Sequence, residues 1–130
     1  MTTINLFREA SDAVEFAAGQ TIFEESQPGD CMYAVVEGEV AITQLGKLIR
    51  TVGPGNIFGE MALIEHGPRS ATATARTACK LVSINERRFN FLVQQTPFFA
   101  LQVMRIMSER LRARDATPPA APSSPSSRSV

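Results

Sequence analysis

Residues 58–73 read FGEMALIEHGPRSATA, and this stretch combines a glycine, a short helix-forming segment and one arginine before a strand-like alternation resumes. Gly59 has no Cβ, so the backbone there can approach a ligand closely, and free N–H groups at the start of a helix over residues 60–63 attract an anion. Arg69 carries a planar guanidinium that can hold two phosphate oxygens at once. The stretch therefore predicts a site for a small phosphorylated sugar.

Other side chains of the same stretch suit such a ligand. Glu60 only accepts hydrogen bonds when it is ionised, which fits a hydroxyl donor such as a ribose 2′-OH. Ser70 and Thr72 add hydroxyl groups, and Ala71 keeps the wall of the site small. Two alternatives remain open on these residues alone: Arg69 is a solvated surface group, or Glu60 pairs with Arg69 and the pair is structural.

Short apolar runs separated by turn signals extend to both sides of this stretch. Clusters such as Pro28-Gly29-Asp30 and Gly53-Pro54-Gly55 punctuate the runs at the spacing of an antiparallel barrel or jelly roll, a fold that leaves a cavity. The predicted strands lie near residues 14–18, 21–25, 31–37, 39–44, 47–52, 71–76 and 78–84.

Helical patterns flank the predicted strands. Residues 4–13 predict a short N-terminal helix, and Asn85 is a good N-cap for a helix that ends at Thr96-Pro97, where another begins and runs to about Arg114. This last helix carries two apolar stripes. We expect the first to pack on the roll, whereas the second either stays partly exposed or covers a ligand or meets another subunit. The first comprises Phe99, Val103, Met107 and Leu111, and the second Leu101, Met104 and Ser108.

The composition changes at the C-terminal end of the chain. Residues 116–130 read ATPPAAPSSPSSRSV, and a stretch so rich in proline and serine can bury little apolar surface. We therefore predict a folded domain over residues 1–115 and a disordered tail over residues 116–130.

The charge balance and the residue inventory argue against several classes of function. Thirteen basic and thirteen acidic residues cancel, so nothing favours direct DNA binding. His66 is the single histidine, too few for a metal-binding cupin, and the motifs of P-loop hydrolases, zinc proteases and α/β-hydrolases are missing. Cys31 and Cys79 lie in apolar runs typical of buried free thiols, and no apolar run could span a membrane. We predict a cytoplasmic binding module without enzymatic activity, cofactor or metal.

Three segments together resemble the cyclic nucleotide-binding domain family, which includes bacterial catabolite activator proteins, regulatory subunits of cyclic-AMP-dependent protein kinase and cyclic-nucleotide-gated channels. Residues 58–73 resemble the phosphate-binding cassette of that family, and GDCMYAVVEGEV at 29–40 and VGPGNIFGE at 52–60 resemble its upstream landmarks. The resemblance covers roughly residues 5–113. It implies an antiparallel β-roll (a double-stranded β-helix or jelly roll), mainly β, with an N-terminal helix and two C-terminal helices.

The resemblance also implies which residues bind a ligand. In the family the cassette glutamate binds the ribose 2′-hydroxyl and the arginine binds the cyclic phosphate, which implies Glu60 and Arg69 here. The residue after the arginine lines the phosphate and base, which implies Ser70. Backbone amides of the cassette are also expected near the ligand. The candidate ligand-binding residues are Phe58, Gly59, Glu60, Met61, Ala62, Arg69, Ser70 and Ala71.

Two functions follow as alternatives. The first is a sensor of a cyclic nucleotide, with cyclic AMP favoured and cyclic GMP possible, that signals through its C-terminal helix to an effector protein. The second is a ligand-independent assembly module with a degenerate pocket. Catabolite activators carry a helix-turn-helix domain after the roll, and we expect none here but a free-standing domain, a monomer or a weak homodimer through the last helix.

Overall fold

The structure is a computed structural model, and it describes the backbone of residues 2–116 and the side chains up to residue 113. Within this range the chain forms eight strands and three helices. The strands are β1 Val14–Phe16, β2 Thr21–Phe23, β3 Cys31–Glu37, β4 Val40–Gln44, β5 Lys47–Val52, β6 Ile57–Phe58, β7 Thr72–Ala75 and β8 Cys79–Asn85. The helices are α1 Met61–Ile64, α2 Glu86–Gln95 and α3 Phe98–Ala116.

The strands form two antiparallel four-stranded sheets, with the orders β1-β8-β3-β6 and β2-β7-β4-β5. This architecture confirms the predicted β-roll with flanking helices. Seven of the strands lie where the sequence predicts them, to within a few residues. The short strand β6 is an addition: Tyr33 and Ala34 of β3 pair with Phe58 and Ile57, which draws the start of the cassette into the first sheet.

Alternation along the strands builds two apolar clusters. Successive side chains of β8 point to opposite faces, so that Leu81 packs inside the roll whereas Val82 packs under the helices. Phe99 and Ile106 of α3 complete the cluster under the helices, and both are almost fully buried. The interior cluster includes Phe58 and Ala73 at the two ends of the cassette, and a cavity lies beside it.

The structure differs from the expectation at residues 4–13, which form turns instead of an N-terminal helix. Ile4 and Phe7 are each only 4% exposed, and the Ile4 amide donates to the Gly55 carbonyl at 2.6 Å. A helix this short is marginal in water, so anchoring two apolar side chains and one amide decides the conformation. Ser11 and Asp12 also favour turns because their side chains compete for backbone groups.

The two C-terminal helices begin where predicted. The Asn85 side chain accepts a hydrogen bond from the Arg88 amide at 2.9 Å and so caps α2. Along α3, Phe99 and Val103 are buried as expected, and Leu101 and Met104 of the second stripe are exposed. Leu111 is 60% exposed and lines the cavity instead of packing on the roll. The helix includes Ala116, one residue past the predicted boundary, and the rest of the predicted tail lies outside the described residues.

Candidate functional site

A cavity of about 680 Å³ opens between the cassette, the β4–β5 hairpin and the end of α3. Its volume falls within the roughly 300–1,000 Å³ typical of small-molecule sites. The eight candidate residues predicted from the sequence all line this one cavity: Phe58, Gly59, Glu60, Met61, Ala62, Arg69, Ser70 and Ala71. The fold therefore brings together residues from two separate segments of the chain, 58–62 and 69–71.

Arg69 is the buried cation of the cavity, with 8% of its surface exposed. Its Nη1 donates to the Gly59 carbonyl at 3.2 Å, and its Nη2 donates to the Cys31 sulfur at 3.8 Å. The guanidinium carbon lies 3.9 Å from the centre of the Phe23 ring, a cation–π contact. Its Nε has no hydrogen-bond partner among the described residues. These contacts exclude one alternative that the sequence left open, in which Arg69 is a solvated surface group.

Backbone hydrogen bonds hold Arg69 in this place. The Arg69 amide donates to the Gln27 carbonyl at 2.8 Å, and the Ser26 amide donates to the Arg69 carbonyl, also at 2.8 Å. Ser26 reaches that geometry with a left-handed φ of 77°, which is uncommon for a residue with a Cβ. Strain of this kind persists only where the surroundings over-determine it. The backbone position of Arg69 is thus fixed independently of its side chain.

Glu60 pairs with Arg110 of α3 and not with Arg69. The Arg110 Nη1 lies 3.4 Å from both Glu60 carboxylate oxygens, and the two side chains are only 17% and 14% exposed. Arg110 also donates to the Asn56 side-chain oxygen at 3.2 Å and to the Ile57 carbonyl. Burial lowers the pKa of Arg110, and the Glu60 carboxylate opposes that shift. The cassette and α3 are therefore joined by an ion pair at the edge of the cavity.

Hydrogen bonds to the Gly59 carbonyl join the short helix α1 to Arg69. The Gly59 carbonyl accepts from the Ala62 amide at 3.3 Å and from the Arg69 guanidinium, so it links the start of α1 to the buried cation. Gly59 does this with a φ of +77°, and a Cβ there would lie 2.9 Å from the Arg69 Nη1. Of the amides expected near a ligand, that of Ala62 is thus already engaged within the protein.

Sequence reasoning missed the part of the cavity that comes from distant segments. The cavity is also lined by residues outside the cassette: Phe23, Gln44, Arg50, Met107 and Arg110. A basic cluster near the end of α3 is visible in the sequence, yet it does not say which arginine turns inward. His66 is absent from the lining; it is exposed and lies 3.8 Å from the Glu86 carboxylate.

Comparison with known proteins identifies the family of this domain. Residues 13–96 match the sequence profile of the cyclic nucleotide-binding domain. The chain belongs to that family. This cyclic nucleotide-binding domain is 32% identical over 104 residues to the CRP-like cAMP-activated global transcriptional regulator of Mycobacterium tuberculosis, covering 76% of this chain and 46% of the regulator.

Solved structures support the same family assignment. The catabolite activator protein of Thermus thermophilus superposes with a TM-score of 0.71 at 30% identity, covering 80% of this chain and 51% of that one. The regulatory domain of Toxoplasma gondii PKA, solved with cAMP, superposes with a TM-score of 0.58 at 35% identity, over 61% of this chain and 32% of that one. The chain thus spans about half the length of the bacterial regulators it matches.

The remaining inventory of the domain is short. Among the described residues, no group of three or more His, Cys, Asp or Glu side chains is placed to hold a metal ion. No helix in residues 2–116 is long and apolar enough to cross a membrane. Cys31 and Cys79 are free thiols, as expected, although only Cys79 is fully buried; burial raises the pKa of Cys79.

Proposed function

We propose that this chain is a sensor module that binds a cyclic nucleotide, with cyclic AMP as the first candidate, and signals through α3 to an effector protein. One observation carries the proposal. Arg69 is a buried cation that lines a cavity and has no carboxylate partner among the described residues. A buried charge without a partner is costly, so the site calls for an anion from outside the chain.

The other cavity residues suit the rest of such a ligand. Glu60 is the one acidic residue in the lining and would accept a hydrogen bond from the ribose 2′-OH. Ser70 and Ala71 follow Arg69 at the wall of the cavity and leave room beside the phosphate. Met107 and Leu111 of α3 supply apolar surface against which a base could pack. We propose binding without catalysis, in the cytoplasm.

Cyclic AMP is the first candidate because of the relatives. The M. tuberculosis regulator is described as cAMP-activated, and the T. gondii domain was solved with cAMP. The effector is proposed to be a protein. A kinase regulatory domain among the relatives supports this choice, as does the balanced charge, which gives no basic stripe for DNA.

The proposed signal leaves through the Glu60–Arg110 ion pair. A ribose hydroxyl bound at Glu60 would share the carboxylate with Arg110, and the arginine lies on α3. A ligand shifts an equilibrium only through different contacts in the two states, and this pair supplies such a difference. The exposed Leu101 and Met104 would then change their presentation to a partner.

Calorimetric titration with cyclic AMP, cyclic GMP and 5′-AMP tests the binding. We expect Arg69→Ala to cost roughly 2 to 5 kcal/mol of binding free energy and Arg69→Lys to recover little, because the charged partner of the phosphate is removed. Arg76→Ala, at an exposed arginine outside the cavity, is the matched control. Wild-type affinity in Arg69→Ala would refute the phosphate assignment, and no binding of any cyclic nucleotide would favour the assembly module.

Hydrogen exchange tests the signalling step. With saturating ligand, we expect changed protection in residues 98–112 as well as in the cassette. Protection confined to the cassette would mean that the signal does not pass through α3.

A further inference from the structure

Cys31, at the start of β3, lies beside the buried arginine of the cavity. Its sulfur is 3.8 Å from the Arg69 Nη2, and the Tyr33 side chain, two residues along the same face of the strand, forms a hydrogen bond with it. Cys31 is partly exposed, whereas the other free thiol, Cys79, is only 3% exposed. Two hydrogen-bonding side chains therefore surround a cysteine that is partly open to solvent.

The buried guanidinium of Arg69 has poor partners on the side of Cys31. A guanidinium has five N–H donors and no acceptor, so it needs acceptor atoms around it. Among the described residues, Nη1 meets the Gly59 carbonyl oxygen, Nη2 meets only the Cys31 sulfur, and Nε meets no acceptor. A thiol sulfur is a weak acceptor. An oxygen atom bound to that sulfur would be a stronger partner for the buried cation.

The addition of one oxygen to a thiol is a two-electron oxidation that a hydroperoxide can carry out. With hydrogen peroxide, an S–O bond forms at the cysteine as the O–O bond breaks, and the thiol proton leaves with the second peroxide oxygen as water. The sulfur is oxidised to a sulfenic acid and the peroxide is reduced. Two equivalents of a thiol reverse the change and give the free cysteine, one disulfide and one water.

We propose that Cys31 is a redox modification site whose sulfenic acid accepts a hydrogen bond from Arg69 and so lowers the affinity of the cavity for a cyclic nucleotide. The phosphate and the oxidised sulfur would compete for the same buried guanidinium. The effect on affinity rests on the proposed function, since it assumes that the phosphate binds at Arg69. The oxidation of Cys31 does not depend on that assumption.

Cys79 provides an internal comparison for the oxidation. Its sulfur donates to the Glu39 and Thr77 carbonyls at 3.2 and 3.1 Å, and burial raises its pKa. Both features disfavour the thiolate, which is the nucleophilic form of cysteine. We therefore expect a hydroperoxide to oxidise Cys31 and to spare Cys79.

Peroxide treatment of the folded protein, followed by dimedone labelling and peptide mass mapping, tests the modification site without any substitution. We expect the sulfenic acid adduct at Cys31 and none at Cys79. Equal labelling of both cysteines, labelling of Cys79 alone, or no labelling would overturn the assignment.

Calorimetric titration with cyclic AMP before and after oxidation tests the effect on affinity. We expect the Kd of the wild type to rise about tenfold on oxidation, as for interference with a charged hydrogen bond, and to return with dithiothreitol. Cys31→Ser removes the sulfur, so its Kd should be the same before and after peroxide treatment. Cys79→Ala, the matched control, should respond to peroxide as the wild type does.

Reversal by dithiothreitol separates Cys31 from the methionines of the cavity, Met61 and Met107. Methionine sulfoxide is restored by dedicated reductases and not by a simple dithiol. A loss of affinity that persists in Cys31→Ser, or that dithiothreitol does not reverse, would overturn the proposed control, as would an unchanged Kd with Cys31 fully oxidised. If the reduced wild type binds no cyclic nucleotide, the proposed function fails and the effect on affinity with it, whereas the labelling still decides the modification site.

Discussion

The absence of a side chain at Gly29 makes room for the guanidinium of Arg69. A Cβ at position 29 would lie 2.6 Å from the Arg69 Cζ and closer still to its Nε. The left-handed region is not involved at this glycine, so the constraint is one of space alone. Gly29 therefore sets where the buried cation can lie, although it is 40 residues away along the chain.

Gly29→Ala should displace Arg69 and so affect both stability and binding. We expect the free energy of unfolding to fall by about 1 to 3 kcal/mol, as for overpacking, and cyclic nucleotide affinity to fall as well. Denaturant unfolding and calorimetry measure the two effects. Gly53→Ala is the control, because a Cβ at Gly53 meets nothing within 4 Å and its φ is not left-handed. If Gly29→Ala and Gly53→Ala show the same stability and the same nucleotide affinity, the steric explanation is contradicted.

Arg69→Met should have opposite effects on binding and on stability without ligand. The substitution removes a buried cation that has no acidic partner among the described residues. It also removes the Nε, which has no hydrogen-bond partner among those residues. We expect the free energy of unfolding of the ligand-free protein to rise by about 1 kcal/mol while nucleotide binding is lost. Arg76→Met should change neither. Clear destabilisation of ligand-free Arg69→Met would show that the arginine supports the fold itself.

The Glu60–Arg110 pair should show strong energetic coupling because both side chains are mostly buried. We expect Glu60→Gln and Arg110→Met each to lower the free energy of unfolding by about 2 kcal/mol, with an interaction energy of about 1 to 3 kcal/mol in the double-mutant cycle. The exposed Lys80–Glu37 pair, at 3.7 Å, is the control and should couple by less than about 1 kcal/mol. If the two substitutions change the free energy of unfolding additively, the proposed link between the cassette and α3 is contradicted.

Tyr33 gives the domain a predictable response to alkaline pH. Its ring stacks on Phe58 with centres 5.3 Å apart, and burial, followed by the hydrogen bond with Cys31, raises its pKa from 10.0 to about 12. The folded pKa lies above the unfolded one, so this contribution to stability is complete below pH 10 and is lost as the pH rises toward 12.

The measurement on Tyr33 is direct because it is the chain's one tyrosine and there is no tryptophan. Phenolate absorbance followed against pH should report a midpoint near 12 in the folded protein and near 10 in denaturant. Coincident midpoints would mean that Tyr33 is solvated in the folded state.

Leu45 occupies an unfavourable place at the tip of the β4–β5 hairpin. Its φ is +52°, that of Gly46 is +78°, and its side chain is 90% exposed. Asparagine tolerates this conformation and Asn-Gly favours two-residue hairpin turns, so Leu45→Asn should raise the free energy of unfolding by about 1 kcal/mol. Leu45→Ala keeps the backbone penalty and should gain little. A thermal melt in which both variants behave alike would show that the tip is not strained.

The local parts of the site are predictable from the sequence, whereas its assembly is not. Glu60 and Arg69 lie nine residues apart in one motif, so a candidate site for a phosphorylated sugar can be predicted from their short spacing. Arg110 joins Glu60 across 50 residues, and only the path of α3 over the roll brings them together. The position of Arg50 at the cavity depends on a one-residue bulge in β5, where Ile42 pairs with Arg50 but Thr43 pairs with Leu48, and no turn signal in the sequence marks it.

The difference between local and long-range interactions also separates the predictions about the fold that are confirmed from the one that is wrong. Asn85 caps α2 through its own side chain, a local interaction that the sequence displays. Residues 4–13 have a helical pattern but are shaped by contacts with distant residues such as Gly55 and Phe99. Tertiary anchoring overrides propensity where a segment is short and its apolar side chains find partners elsewhere.

The contact of Arg110 with Glu60 also bears on how an effector would act on the ligand. Coupling between two binding sites is reciprocal in free energy, so an effector that draws α3 away from the cassette must alter nucleotide affinity by the same factor as the nucleotide alters effector affinity. Release of Arg110 would leave the Glu60 carboxylate free for the ribose. The effector would then determine the nucleotide concentration at which this domain responds, without contacting the nucleotide itself.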